Sequence, residues 1–209
     1  LARIGILGGT FNPPHRGHLA LARHARDELA LERVLLMPVH TPPHKPGGAD
    51  PGAEHRLQMC RLAAGTQPGV EACGLELQRG GPSYTADTLS EIHARDPEAE
   101  LTFIVGADTA RTLPSWHDPG RVLELAELAV AARSGTDRGQ VMAALELAAQ
   151  GSPVRPRVSF LAMEQIEASS SAARELLAAG EDAAAMLGPA VAGYIAEHGL
   201  YGASAGGGS

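Results

Sequence analysis

The residues best suited to chemistry stand in two short strings. The first is Gly8-Gly9-Thr10-Phe11-Asn12-Pro13-Pro14-His15-Arg16-Gly17-His18. Glycines at the end of an apolar run let the backbone approach a ligand closely. Pro13 and Pro14 keep the segment out of a helix, so a helix starts only near Gly17. Its free N–H groups and positive dipole end then face the same space. His15 and His18 are three residues apart and can face one anion together. Phosphoryl transfer needs this kind of help: positioning, and donors aimed at phosphate oxygens. Two glycines alone also fit an ordinary turn, and the string holds no G-x-G-x-x-G fingerprint. A histidine pair at this spacing can also share a metal ion. No third ligand is evident, so no metal site is assigned.

The second string is Ser169-Ser170-Ser171-Ala172-Ala173-Arg174. Serines cap helices well, and Arg174 falls one turn beyond Ser170 on the same face. Hydroxyls, helix N–H groups and a guanidinium make a phosphate clamp. Taken alone, the segment also reads as a plain capped helix. Three further segments carry candidates: Ser83-Tyr84-Thr85-Ala86-Asp87-Thr88-Leu89, Gly106-Ala107-Asp108 with Leu113-Pro114-Ser115-Trp116-His117 after it, and Pro42-Pro43-His44-Lys45. Each has a plainer reading. Tyr84 and Thr85 can simply start a helix, Trp116 can be core, and Lys45 can be a solvated loop charge. The loop-like setting of Trp116, among Pro114, His117, Asp118 and Pro119, favours a platform for a ligand.

Together these strings resemble a known family. The first is similar to the H-x-G-H signature of nucleotidyltransferases. The second resembles its I-S-S-T-x-x-R partner, with Ala168 for the Ile and Ser171 for the Thr. The S-Y-T-x-D-T-L, I-G-x-D…L-x-x-W and P-x-H-K segments resemble those of bacterial nicotinate-nucleotide adenylyltransferases, in order from Ile4 to about Leu200. The resemblance implies adenylyl transfer from ATP to nicotinate mononucleotide, with Mg²⁺ brought in on ATP. It implies that His15, His18 and Arg174 stabilise the phosphates, and that Gly8, Gly9, Thr10 and Phe11 bring backbone to the nucleotide. By the same analogy Gly106 and Asp108 hold the adenosine ribose, and Ser169 and Ser170 contact phosphate or cap the clamp. Lys45, Tyr84, Thr85, Trp116 and Arg133 are placed with the mononucleotide, Trp116 stacking on its ring. Phosphopantetheine adenylyltransferase and cytidylyltransferases share H-x-G-H, but have no need of the S-Y-T and Trp segments; a nicotinamide mononucleotide acceptor stays open beside the nicotinate one. A non-catalytic nucleotide sensor on the same fold would be expected to lose His18 or Arg174, and both are present.

The elements that must position these residues alternate in type. Short apolar runs at Ile4–Leu7, Val34–Met37, Leu101–Val105, Leu128–Ala132 and Val158–Leu161 read as buried strands, and Val70–Leu77 has strand character. Helical patterns begin near Gly17 and cover Glu54–Ala64, Thr85–Ala94, Val141–Ala149, Ser171–Ala178 and Pro189–His198. The face carrying His18, Ala22, Ala25 and Leu29 points inward. Alternating strands and helices predict an α/β fold: a doubly wound, mostly parallel sheet of Rossmann-like type with a small C-terminal helical segment. Ligands then sit at the carboxyl ends of the strands, where the strand order switches. No linker divides the chain, so residues 1–200 read as one domain, with a flexible Gly/Ser-rich tail over 201–209.

Composition sets the outer bounds. The 209 residues suit one core. Aromatics make up only 3%, so Ala, Leu and Val must fill it. The net charge of −7 argues against a nucleic-acid partner, which needs a basic surface. Two cysteines fit neither a disulfide framework nor a zinc spacing, and point to a reduced, cytoplasmic setting. No apolar run approaches the ~18 residues of a membrane span. Leu1–Leu7 runs straight into a glycine turn and is read as strand rather than signal peptide.

Overall fold

The apolar runs become six parallel strands in a computed structural model, which describes residues 1–41, 50–133, 135–163 and 166–203. β1 (Arg3–Gly9) leads through the His-containing turn to α1 (Arg16–Glu28) and returns as β2 (Arg33–Pro38). Then follow α2 (Ala53–Ala64), β3 (Val70–Ala72), α3 (Leu75–Arg79), α4 (Thr85–Arg95) and β4 (Glu100–Gly106). α5 (Ala107–Ala110), a 3₁₀ turn at Leu113–Ser115 and α6 (Pro119–Leu125) lie between β4 and β5 (Ala126–Ala132). The chain closes with α7 (Arg138–Ala148), β6 (Val158–Ala162), α8 (Ser170–Ala178), α9 (Ala184–Leu187) and α10 (Pro189–Glu197).

The strand order is β3-β2-β1-β4-β5-β6. The chain winds outward from β1 to β3, then crosses back and winds the other way from β4. The crevice between the carboxyl ends of β1 and β4 is therefore the switch point where such sheets bind ligands. In β1 and β4 successive side chains serve opposite faces. Ile4, Ile6, Phe103 and Val105 pack under Leu89 of α4, Leu123 of α6 and Leu145 of α7. Leu7 and Ile104 pack under Ala22 of α1, Met59 of α2, Ala173 of α8 and Ile195 of α10. Alanine and leucine do fill both layers. Among the described residues, no helix is long and apolar enough to cross a membrane.

Three local expectations are corrected. The extended run expected over Val70–Leu77 stops at Ala72, and α3 begins at Leu75. Gly74 interrupts the run, and Leu-Glu-Leu-Gln-Arg are good helix formers. On α1 the buried residues are Leu19, Ala22 and Ala25. His18 is only half-buried, because it sits in the first turn, at the mouth of the crevice rather than beneath it. Residues 201 to 203, expected in the tail, are part of the fold. Tyr201 is half-buried, and its hydroxyl donates to Asn12 Oδ1 at 2.6 Å; residues 204–209 lie outside the described residues.

Candidate active site

The β1–α1 turn is held by its own histidines. His15 is the N-cap of α1, and its Nδ1 accepts from the Gly17 N–H at 3.2 Å. His18 reaches back, and its Nδ1 accepts from the His15 N–H at 3.2 Å. This is a capping box made of two imidazoles, which satisfies two of the helix's orphan donors. The rings lie 3.7 Å apart at 31°. With Nδ1 of each ring accepting, the single proton of a neutral imidazole must sit on Nε2. Burial lowers His15 to about 4. Burial and, secondarily, the neighbouring His15 lower His18 to about 3. Both rings are thus neutral Nε2–H donors at physiological pH.

Around them the backbone is close-set. A Cβ on Gly8 would meet the Phe103 ring at 3.3 Å, and one on Gly9 the Phe11 ring at 3.2 Å. Phe11, at φ 49°, is 2% exposed and packs its ring 4.8 Å from that of His18. Phe11 therefore braces the turn from beneath.

α8 closes on the same turn. Ser169 is its N-cap and accepts from the Ala172 N–H at 3.1 Å. Ser170 Oγ donates to the Pro13 carbonyl at 2.8 Å. Arg174 donates through Nη1 to the Asn12 carbonyl at 2.7 Å and through Nη2 to Ser171 Oγ at 3.3 Å. So residues far apart in sequence meet at Asn12–His18.

A cleft of about 690 Å³ opens at the carboxyl ends of β1 and β4. Gly8, Gly9, Thr10 and His18 form one end of its wall. Tyr84, Thr85, Thr88, Trp116 and His117 form the other, with Gly106 between. Trp116 is half-buried, edge-on to Phe103 at 6.0 Å, and its Nε1 donates to Thr112 Oγ1 at 3.0 Å. Tyr84 and His117 pack ring to ring at 4.5 Å. α4 starts at Thr85, and no side chain caps it.

Several expected residues stand elsewhere. His15 and Arg174 are not in the cleft wall; they lie behind His18, one stacked on it and one tied to Asn12. Asp108 is turned to solvent, 90% exposed, and pairs with Arg111 at 2.6 Å. A carboxylate in the first turn of α5 meets the cation three residues on before it meets the cleft. Arg133 is exposed beyond the end of β5, outside the cleft wall. Phe11 contributes packing rather than cleft surface. Lys45, with Pro42, Pro43 and His44, lies outside the described residues.

Two residues escaped the sequence reading. Arg56 of α2 is 1% exposed. It donates to the Thr10, Val39 and His40 carbonyls at 3.0, 2.7 and 3.0 Å, and its Nε to Asp50 at 3.0 Å. It fastens the β1 turn to the loop after β2. Glu76 of α3, 6% exposed, lies in the cleft wall beneath α4. Arg56 sits in an ordinary helical pattern and Glu76 in a run expected to be extended, and only burial marks them.

Known proteins are similar to this chain in sequence and in fold. The cytidylyltransferase-like family matches residues 6–176. The nicotinate-nucleotide adenylyltransferase of Aeromonas salmonicida is 42% identical over 211 aligned positions, covering 96% of this chain and 97% of that protein. That of Thermomicrobium roseum is 38% identical over 203, covering 96% and 92%. In fold, the chain is similar to the Plasmodium falciparum nicotinic acid mononucleotide adenylyltransferase complexed with NaAD. The TM-score is 0.77 at 17% identity, over 99% of this chain and 100% of that one. By the family match over residues 6–176 and the identity to these relatives over nearly the whole chain, the protein belongs to the cytidylyltransferase-like family and, within it, to the nicotinate-nucleotide adenylyltransferases.

Proposed function

We infer that the protein transfers the adenylyl group of ATP to nicotinate mononucleotide, giving deamido-NAD and pyrophosphate in NAD biosynthesis. Family membership supplies the reaction class. The observation that carries the acid form of the acceptor is the start of α4. Its first N–H groups have no side-chain cap, and Tyr84, Thr85 and Thr88 stand in the cleft wall. An uncapped helix start is a receptor for an anion, which a carboxylate supplies and a carboxamide does not. Trp116 and the Tyr84–His117 pair offer flat surfaces for a pyridine ring beside it.

The phosphates go to the other end. A phosphate oxygen of the mononucleotide attacks the α-phosphorus of ATP in line. The new O–P bond forms as the bond to the β-phosphate bridge breaks, and pyrophosphate leaves with the electron pair. The attacking oxygen is already anionic, so no general base is needed. The task is to hold two anions in line and stabilise charge on the equatorial oxygens. His18 presents its Nε2–H at that end of the cleft, and His15, stacked behind it, holds its orientation through the backbone N–H bond to His18 Nδ1. Arg174 keeps N–H groups beyond its two contacts, at the same turn, for the leaving pyrophosphate. Among the described residues, no group of three His, Cys, Asp or Glu is placed to hold a metal ion. We propose that Mg²⁺ would enter with ATP and would offset phosphate charge there. Two free cysteines, Cys60 buried and Cys73 half-buried, fit a reducing cytoplasmic setting.

Pyrophosphate release from ATP, measured with nicotinate mononucleotide, nicotinamide mononucleotide and phosphopantetheine in turn, tests the reading. The acid mononucleotide should give the highest kcat/KM. Preference for either other acceptor, or release with none, contradicts it.

A further inference from the structure

The ring end of the cleft holds a buried carboxyl that the reaction above does not use. Glu76 Oε1 accepts from the Thr88 hydroxyl at 2.7 Å. Its Oε2 is enclosed and has no hydrogen-bond partner among the described residues. Thr88 lies in the first turn of α4, and Glu76, Ser83, Tyr84, Thr85 and Thr88 all stand in the cleft wall. An ionised carboxylate this enclosed, with only hydroxyls for donors, is strongly disfavoured in such a place.

We propose that Glu76 is a specificity-determining positioning residue, which holds the first turn of α4 through Thr88 and leaves that turn's free N–H groups to the carboxylate of the pyridine ring. The proposal rests on the acceptor assigned above. Two carboxylates sharing one low-dielectric site cannot both ionise readily, so one keeps its proton. Here the ligand's carboxylate is the stronger acid and faces the helix start, so Glu76 is the one that stays neutral. Burial raises the Glu76 carboxyl above the ordinary Glu range, against the opposing pull of the Thr88 and Ser83 hydroxyls and the Arg79 guanidinium.

The charged and titratable groups around Glu76 come from four segments. Arg79 of α3 donates to Thr88 Oγ1 at 2.9 Å and pairs with Glu91 of α4 at 3.2 Å. His40, after β2, donates its backbone N–H to Ser83 Oγ at 2.9 Å. Tyr84 and His117 stack in the cleft wall. When Glu76 ionises, it repels the acid form of the acceptor and leaves the amide form nearly untouched. The acid-to-amide ratio of kcat/KM then falls as pH rises through the Glu76 pKa. Ionisations at His15, His18 and the mononucleotide phosphate cancel in that ratio, because both acceptors share them.

The test is kcat/KM for both mononucleotides across pH at saturating ATP, in the wild type, Glu76→Gln and Glu76→Ala. The wild-type ratio should fall by about tenfold from acid to alkaline pH, the scale of one coupled carboxyl. Gln still accepts from Thr88 but cannot ionise, so its ratio should stay high and flat. Ala should raise KM for the acid form and leave KM for ATP unchanged. A flat wild-type ratio overturns the proposal. So does a Gln variant that follows the wild-type curve, since a group other than Glu76 would then own the titration. If the Ala variant fails to fold, the wild-type and Gln curves still decide. Turnover of the acid form with a flat ratio removes only the role of Glu76; turnover of neither mononucleotide removes the assigned reaction with it.

Discussion

At the phosphate end of the cleft, His15, Gly17 and His18 fix one another within a single turn of chain, and the donors they present follow from local backbone geometry. At the ring end, Glu76, Thr88 and Trp116 come from α3, α4 and the stretch just after the 3₁₀ turn, and meet only because the sheet brings those elements together. The first end is built to stabilise charge that develops during reaction. The second is built to choose what enters. Changes at the two ends should therefore separate in kinetics, with kcat lost at one and KM for a single substrate lost at the other.

Arg56 spans the two ends, so its loss should blur the separation. It holds the Thr10 carbonyl on the phosphate side and the Val39 and His40 carbonyls on the side that leads to Ser83. Arg56→Ala strands those buried groups and should cost about 3–5 kcal/mol of stability, read by urea unfolding. Surviving folded enzyme should show raised KM for both substrates. A change confined to one substrate would show that Arg56 serves one end only.

His18→Ala should cut kcat on the order of 100- to 1000-fold, the usual loss for one preorganised donor, with little change in KM for ATP. Near-normal turnover would remove the histidine from the mechanism. Trp116→Ala should raise KM for nicotinate mononucleotide by about one to two orders of magnitude and that for ATP by far less, on the scale of base–aromatic stacking. Because Trp116 also packs on Phe103, thermal melting must run beside the kinetics. A large fall in melting temperature with unchanged KM in the folded enzyme would place the ring platform elsewhere.

The smallest effect concerns pH and separates the two ends without substrate. His15 and His18 sit at about 4 and about 3 in the folded protein, against 6.5 in the unfolded chain. The unfolded chain takes up these protons first. Stability contributed by the neutral rings is therefore present above pH 6.5 and is lost progressively as pH falls toward those folded values. Lowering the pH from about 7 to 5 should reduce the melting temperature by a few degrees more in the wild type than in His18→Ala. Equal slopes would contradict the buried neutral pair.

The same contrast explains what could be read from the chain alone. The β1–α1 turn and the Ser169–Arg174 cap are contiguous, so glycine, proline and serine chemistry marked them, and the alternation of apolar runs marked the parallel sheet. Glu76 and Arg56 carry their roles through burial, which neither the run expected to be extended over Val70–Leu77 nor the helical pattern over Glu54–Ala64 displays. The exposure of Asp108 and Arg133 is also a tertiary fact. Asp108 finds Arg111 one turn on, and Arg133 is exposed just after the end of β5, outside the cleft wall. Likewise the inward face of α1 was right in period, but its first residue, His18, turns out to the crevice because the helix begins there.

Adenylyl transfer is defined by where the α-phosphate goes. ATP labelled at that phosphate, incubated with nicotinate mononucleotide and the wild-type protein, should deliver the label to the dinucleotide deamido-NAD and release unlabelled pyrophosphate. Label recovered only as AMP, or a γ-label carried onto the mononucleotide instead, would contradict adenylyl transfer at this cleft.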